Sequence, residues 1–218
     1  MAVMWGKQGA SIALGLLLAA AAWAGPTEDF ASGRSAYQTG DVNTAISLLR
    51  KSADQGHAPA QVLLAQILDQ SEQNEEAVKY FRLAADQGNA DGFFGLGAMY
   101  ASGEGVARDL GAARGWMVKA ADAGNVQAVQ TVAMAYMSGG LAVSESERGS
   151  PAALQWIEKA AALDSLPAID RLAVAYRKGD FALPVDVKKA EEYEARARKL
   201  RNVTITTKPG KKAAKPNG

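Results

Sequence analysis

One block, Lys-Ala-Ala-Asp-x-Gly-Asn in its clearest form, recurs along this chain and constrains its fold more than any other feature. The copies run from Lys51 to His57, Arg82 to Asn89, Lys119 to Asn125 and, degenerate, Lys159 to Ser165. Each closes a helix-sized segment whose apolar residues fall at helical spacing. Between the equivalent alanines Ala53, Ala85, Ala121 and Ala161 the steps are 32, 36 and 40 residues, the range of helix-pair repeats. A single unit of that size supports little core alone and gains its stability from its neighbours. The expected fold is therefore all-α, an array of helix pairs. Such an array presents an extended surface, which favours binding over catalysis.

The units share a local grammar. In the third, Phe93, Leu96, Gly97 and Tyr100 fall at i, i+3, i+4 and i+7, the apolar face of a short helix A. Gly103 and Gly105 then mark a turn, and Asp109 is placed to accept bonds from the first amides of helix B. Helix B is expected from about Leu110 to Asp122, with Ala113, Trp116 and Ala120 on one stripe and Gly124 as the left-handed residue that ends it. In the fourth unit, Ser150-Pro151 offers an N-cap followed by proline at the first helical position, and Trp156 takes the place of Trp116. The fifth has Leu172, Ala173 and Tyr176, then Asp186 as a cap and Ala190, Tyr193 and Ala197. The second has Leu64, Ala65 and Leu68, then Ala77, Tyr80 and Ala84, and a shorter first unit spans Thr27 to His57. About five antiparallel helix pairs result, their length differences absorbed in loops such as Ser138 to Ser150.

The third unit carries a specific pattern: Leu96-Gly97-x-x-Tyr100-x-x-Gly103-x-Gly105-Val106-x-x-Asp109-x-x-x-Ala113-x-x-Trp116-x-x-Lys119-Ala120-Ala121-x-x-Gly124. It closely resembles the Sel-one-like repeat (SLR), the longer-looped relative of the tetratricopeptide repeat, over about residues 28 to 200. The resemblance implies a right-handed α-solenoid whose concave surface, lined mainly by A helices, binds other proteins. Exported bacterial members look like adaptors for envelope signalling, surface-polysaccharide assembly, motility or virulence. The second unit departs from the pattern: Asp69-Gln70-Ser71-Glu72-Gln73-Asn74 replaces the glycine-rich turn and looks more like a tetratricopeptide junction. Cysteine-rich members of the family pair their helices by disulfides, and this chain has no cysteine.

The ends differ in character from the repeats. Residues 1–24 hold one basic residue, Lys7, then the apolar run Ile12 to Ala22 and Ala22-Trp23-Ala24, the layout of a cleavable secretory signal. The run is too short for the roughly twenty residues of a spanning helix. Cleavage is expected after Ala24, which places the protein in the periplasm or outside the cell, with an uncleaved inner-membrane anchor as the alternative. The net charge of +1 hides a division. All 23 acids lie between Glu28 and Glu194, while residues 195–218 hold eight Lys and Arg and no acid. The domains expected are a signal peptide at 1–24, the repeat array at 25–201 and a disordered basic tail at 202–218. That tail would attract anionic envelope surfaces through salt-screened forces. Nucleic acid is not an expected partner, since export removes the protein from it and no aromatics interleave the lysines.

Starting residues for chemistry are scarce. The single histidine, His57, stands where other copies have Asn89 and Asn125 and reads as a helix-junction residue. Glu104, Asp109, Glu145 and Glu147 lie in loops without ligand spacing, and no nucleophile or phosphate-loop motif is present. The expectation is a non-catalytic scaffold with no cofactor and no metal. Projecting the repeat, with Leu96, Gly97 and Tyr100 facing helix B, places Val62, Gln66, Asp91, Phe94, Ala98, Gln127, Gln130, Met134, Asp170 and Val174 on the groove, where a protein partner would bind. Phe94 is the foremost of these, as an aromatic anchor, the alternative being that Phe93 and Phe94 are both packed between repeats. An envelope structural protein tethered to polyanionic polysaccharide, lipid or peptidoglycan by the basic tail is the alternative.

Overall fold

The computed structural model describes residues 25–207, so the signal segment 1–24 and the last residues, 208–218, lie outside the described part. Among the described residues there are eleven α-helices and no strand. They are α1 Pro26–Gln38, α2 Val42–Asp54, α3 Ala58–Gln70, α4 Asn74–Asp86, α5 Ala90–Ser102, α6 Leu110–Asp122, α7 Val126–Ser138, α8 Glu145–Arg148, α9 Pro151–Ala162, α10 Leu166–Lys178 and α11 Val187–Thr207, with a 3-10 turn at Asp180–Ala182. Four A/B pairs pack as such, α1/α2, α3/α4, α7/α9 and α10/α11, while α5 and α6 are the A and B helices of the third repeat by sequence and α8 is an addition within the fourth.

The recurring block is a double cap. At its first copy the Gly56 amide bonds to the Ala53 carbonyl and the His57 amide to the Ser52 carbonyl, the paired bonds that end a helix through a left-handed residue. The φ of Gly56 is 84°, a conformation glycine adopts without a Cβ penalty. The next residue immediately caps the following A helix: Nδ1 of His57 accepts from the Ala60 amide at 3.3 Å, Oδ1 of Asn89 from Gly92 at 2.9 Å and Oδ1 of Asn125 from Ala128 at 2.7 Å. One short motif thus stops helix B and starts the next helix A, which is why it repeats when little else does. In the degenerate copy Asp164 takes the left-handed position, at φ 57°, as aspartate can. His57 is a cap, its ring 4.9 Å from that of Phe30.

B helices start on the residues expected. The Asp109 carboxylate accepts from the Gly111 and Ala112 amides at 2.9 Å, Ser150 Oγ from Ala153 and Asp186 Oδ1 from Lys189. Two features differ from expectation. The connection from Ser138 to Ser150 holds α8, set by a capping box in which Ser144 and Glu147 exchange bonds. The final helix runs on to Thr207, so residues 202–207, assigned above to a disordered tail, continue α11.

The chain divides into two compact units, 1–107 and 108–218, the boundary falling between the two helices of the third repeat. In the first, α1 packs on α2, α2 on α3, α3 on α4 and α4 on α5, and the A helices meet their successors, α1 with α3 and α3 with α5. Leu49, Leu64, Ile67, Leu68, Tyr80 and Leu96 form its core, each such side chain contributing about 1.5–3 kcal/mol when fully buried. Buried Gln61 ties the repeat ends together, donating to the Ala53 carbonyl at 3.0 Å and accepting from Gln87 at 2.7 Å. In the second unit α6 packs on α7, α7 on α9, α9 on α10 and α10 on α11, with α7 also meeting α10. Its core holds Val132, Ile157, Ile169 and Leu172. The tryptophans of the B helices lie under lysines one turn on, Lys119 over Trp116 at 4.1 Å and Lys159 over Trp156 at 4.0 Å, the cation facing the ring's negative face.

Candidate functional site

Since the A helices meet within each unit, the residues they leave in solvent form one face per unit. On the first face Gln66 and Asp91 are exposed and Phe94 and Ala98 half-buried. Val62 is a correction: at 7% exposure its side chain belongs to the packing. The cause is its place on α3, which touches both α1 and α5 and so has this position enclosed.

The second face is more open. Gln127, Gln130 and Met134 are exposed on α7 and Val174 on α10. Met134 is 45% and Val174 42% exposed, at equivalent positions one repeat apart, each directly after the buried pair Val132-Ala133 or Leu172-Ala173. Their neighbour Asp170 is half-buried and held by Arg201 at 2.5 Å, so its charge is already balanced from α11. The arrangement is an apolar pair amid amide side chains, suited to an adaptable polypeptide contact. Methionine in particular re-packs readily against varied surfaces.

Elsewhere charge is used to join repeats. Asp122 pairs with Lys159 at 3.3 Å, Asp164 with Arg196 at 2.7 Å and Arg50 with Glu76. The Arg50 guanidinium holds the Glu76 carboxyl below the usual carboxylate range. Burial, then the Asp54 carboxylate that accepts from its hydroxyl at 2.9 Å, raises Tyr80. These groups belong to repeat junctions and are built for cohesion. Among the described residues no three His, Cys, Asp or Glu side chains converge as a metal site would require, and no helix is long and apolar enough to cross a membrane.

Sequence reasoning did not single out a cavity of about 240 Å³ in the second unit, lined by Tyr136, Met137, Glu145, Arg148, Gly149, Ile157, Arg171 and Phe181. One signal for it existed: Phe181 stands where the third repeat has Gly105, an aromatic in a turn position that asks for glycine.

The Sel1 repeat family model matches five times, at residues 31–57, 58–89, 94–125, 132–165 and 166–200. A Sel1 repeat protein from Oxalobacter formigenes superposes with a TM-score of 0.69 at 29% identity, over 88% of this chain and 57% of the other. A protective antigen with an SLR fold from uropathogenic Escherichia coli gives 0.52 at 25% identity, over 86% of this chain and 48% of the other. Among curated proteins, DAP3-binding cell death enhancer 1 of Rattus norvegicus is 42% identical over 83 residues. That match spans 37% of this chain and only 16% of the relative.

Proposed function

Because the chain belongs to the Sel1-repeat family, we propose that it is a non-catalytic scaffold that binds another protein on the faces of its A helices, in the bacterial envelope after export. The observation that carries the reading is the pair Met134 and Val174, left in solvent at matching positions of α7 and α10. Their exposure costs the fold apolar burial, since nearly half of each side chain stays in water. Their amide neighbours Gln127 and Gln130 can bond a peptide without imposing a charge. One relative is named for binding another protein, which is in keeping with this use of the repeat. The N-terminal segment, with Lys7, the run Ile12 to Ala22 and Ala22-Trp23-Ala24, supports export and hence a partner in envelope signalling or surface-polysaccharide assembly.

Photo-crosslinking from positions 134 and 174 in the native envelope, with mass spectrometry of the products, tests this. One dominant protein captured from both positions is the expected result. Capture that spreads over envelope material and disappears when residues 208–218 are deleted would make the protein a charge-tethered structural element instead.

A further inference from the structure

The 240 Å³ cavity of the second unit lies among the end of α7, the four-residue helix α8, α9, α10 and the turn after α10. It is smaller than the roughly 300–1,000 Å³ of sites for drug-sized molecules, so it suits an end group. Its walls are of two kinds. Met137, Ile157, Tyr136 and Phe181 supply apolar surface, and Arg148 and Arg171 supply guanidinium groups.

The two arginines are differently employed. Arg171 bonds to Asp180 at 2.7 Å and lies 4.6 Å from the centre of the Phe181 ring, so it is fixed in place and largely neutralised. Arg148 donates to the Met137 carbonyl at 3.0 Å and makes no ion pair with any described residue. A guanidinium has five donors, and most of those on Arg148 remain open toward a planar acceptor such as a carboxylate. Phe181 is held at φ 58°, ψ 28°, where a bulky side chain is an outlier. Glycine occupies the equivalent turn position in the third repeat, Gly105, at φ 66°. Retaining strain to keep an aromatic ring against a guanidinium is how a binding wall is preorganised.

We propose that this cavity binds the free C-terminus of a partner polypeptide whose last residue is apolar, with Arg148 taking the carboxylate and Phe181, Met137 and Ile157 the side chain. A carboxylate and an apolar group on the same carbon occur at a chain end, and in neither Asp nor Glu side chains. Capture of a terminal carboxylate is a recurring mode of peptide recognition. Glu145 also lines the cavity, and its negative charge beside the anion keeps the affinity moderate, as befits a reversible scaffold. The inference rests on the protein-binding reading above and adds the part of the partner that is held.

The ¹⁵N-labelled protein is titrated with acetyl-glycyl-leucine and with its carboxamide, followed by NMR. Expected are saturable shifts at Arg148, Arg171 and Phe181 with the acid, and binding of the carboxamide about ten- to a hundredfold weaker, the worth of a charge-assisted hydrogen bond. Arg148→Gln should lose the same factor for the acid only, Arg148→Lys should fall between, and Glu145→Gln should tighten the acid. Circular dichroism checks that each variant is folded. Equal affinity for acid and carboxamide, no localised shifts, or weakening by Glu145→Gln would overturn the site. None of those results touches the crosslinking from positions 134 and 174, so the scaffold reading stands or falls separately.

Discussion

Two glycines inside helices show how much a single Cβ decides in this molecule. A Cβ on Gly95 of α5 would lie 2.2 Å from the Phe81 ring, whereas one on Gly115 of α6 meets nothing within 4 Å. The first glycine exists so that α4 and α5 can close on an aromatic, and the second only weakens its helix. Gly95→Ala should therefore cost about 1–3 kcal/mol by overpacking. Gly115→Ala should add about 0.5–1 kcal/mol, and thermal unfolding followed by circular dichroism gives both signs. Asp69 is a third informative position. Burial, then the Glu104 charge, raises its pKa above the ordinary carboxylate value. A carboxyl raised on folding binds its proton more tightly in the native state, so its ionised form costs stability at neutral pH and the cost fades in acid. Asp69→Asn should raise the melting temperature at pH 7 and leave it almost unchanged at pH 3. An equal gain at both would show that the charge is not the cause.

At the scale of elements, α8 is the piece most dependent on one carboxylate. The Ser144 amide donates to Glu147 at 2.8 Å and the Ser144 hydroxyl at 2.7 Å, while Arg114 reaches the same carboxylate at 3.0 Å. The Ser144 amide first, then its hydroxyl, lower the Glu147 pKa. A carboxyl lowered on folding contributes stability that is present above its unfolded pKa and lost as pH falls through the folded one. The α8 turn should therefore loosen on acidification below the usual carboxylate range, seen as faster exchange of the Ser144 amide. Glu147→Gln should give that faster exchange already at pH 7. The same helix marks the limit of reading the chain as a sequence. Helix B of the third repeat was legible as Leu110 to Asp122 and that of the fourth from its Ser150-Pro151 start, because caps and periodicity are local signals. Four residues have no period, so α8 was missed, although Ser144-x-x-Glu147 is a capping box in plain view. Residues 202–207 were read as tail because the composition of the lysine-rich end was extended back to Asn202, whereas the structure describes α11 through Thr207. Of the candidate face, exposed Met134 and Val174 were legible because one helix fixes which positions share a side. Enclosed Val62 was not, since that depends on α3 having a helix on either hand, and of the cavity only Phe181 at the turn position of Gly105 left a trace in the spacing, the rest of its lining depending on how α7, α8, α9 and α10 pack.

At the scale of the whole molecule, charge is divided as the repeats are not. Residues 25–107 hold eleven Asp and Glu against five Lys and Arg, and residues 108–218 twelve against eighteen. The half that carries Met134, Val174 and the Arg148 cavity is thus the basic half, and an acidic partner would be steered toward it. Steering of this kind acts on the association rate and is screened over a Debye length of about 8 Å at physiological salt, whereas burying Met134 and Val174 under a partner acts mainly on dissociation. The two contributions separate by kinetics. Removing residues 208–218 takes away four lysines and no described residue. With the partner captured by crosslinking, this deletion should slow association and flatten its salt dependence, with dissociation nearly unchanged. The double variant Met134→Asp, Val174→Asp should do the reverse, speeding dissociation by a factor on the order of ten or more, as for truncating a contact worth over 1 kcal/mol. Helicity should be retained, because both residues lie on the solvent side of their helices, with Met134 45% and Val174 42% exposed in the free protein, and circular dichroism checks it. Surface plasmon resonance at two ionic strengths reads both constants. A double variant that left dissociation untouched would move the partner off the A-helix face, and a deletion that abolished binding outright would make the lysine-rich end the principal contact.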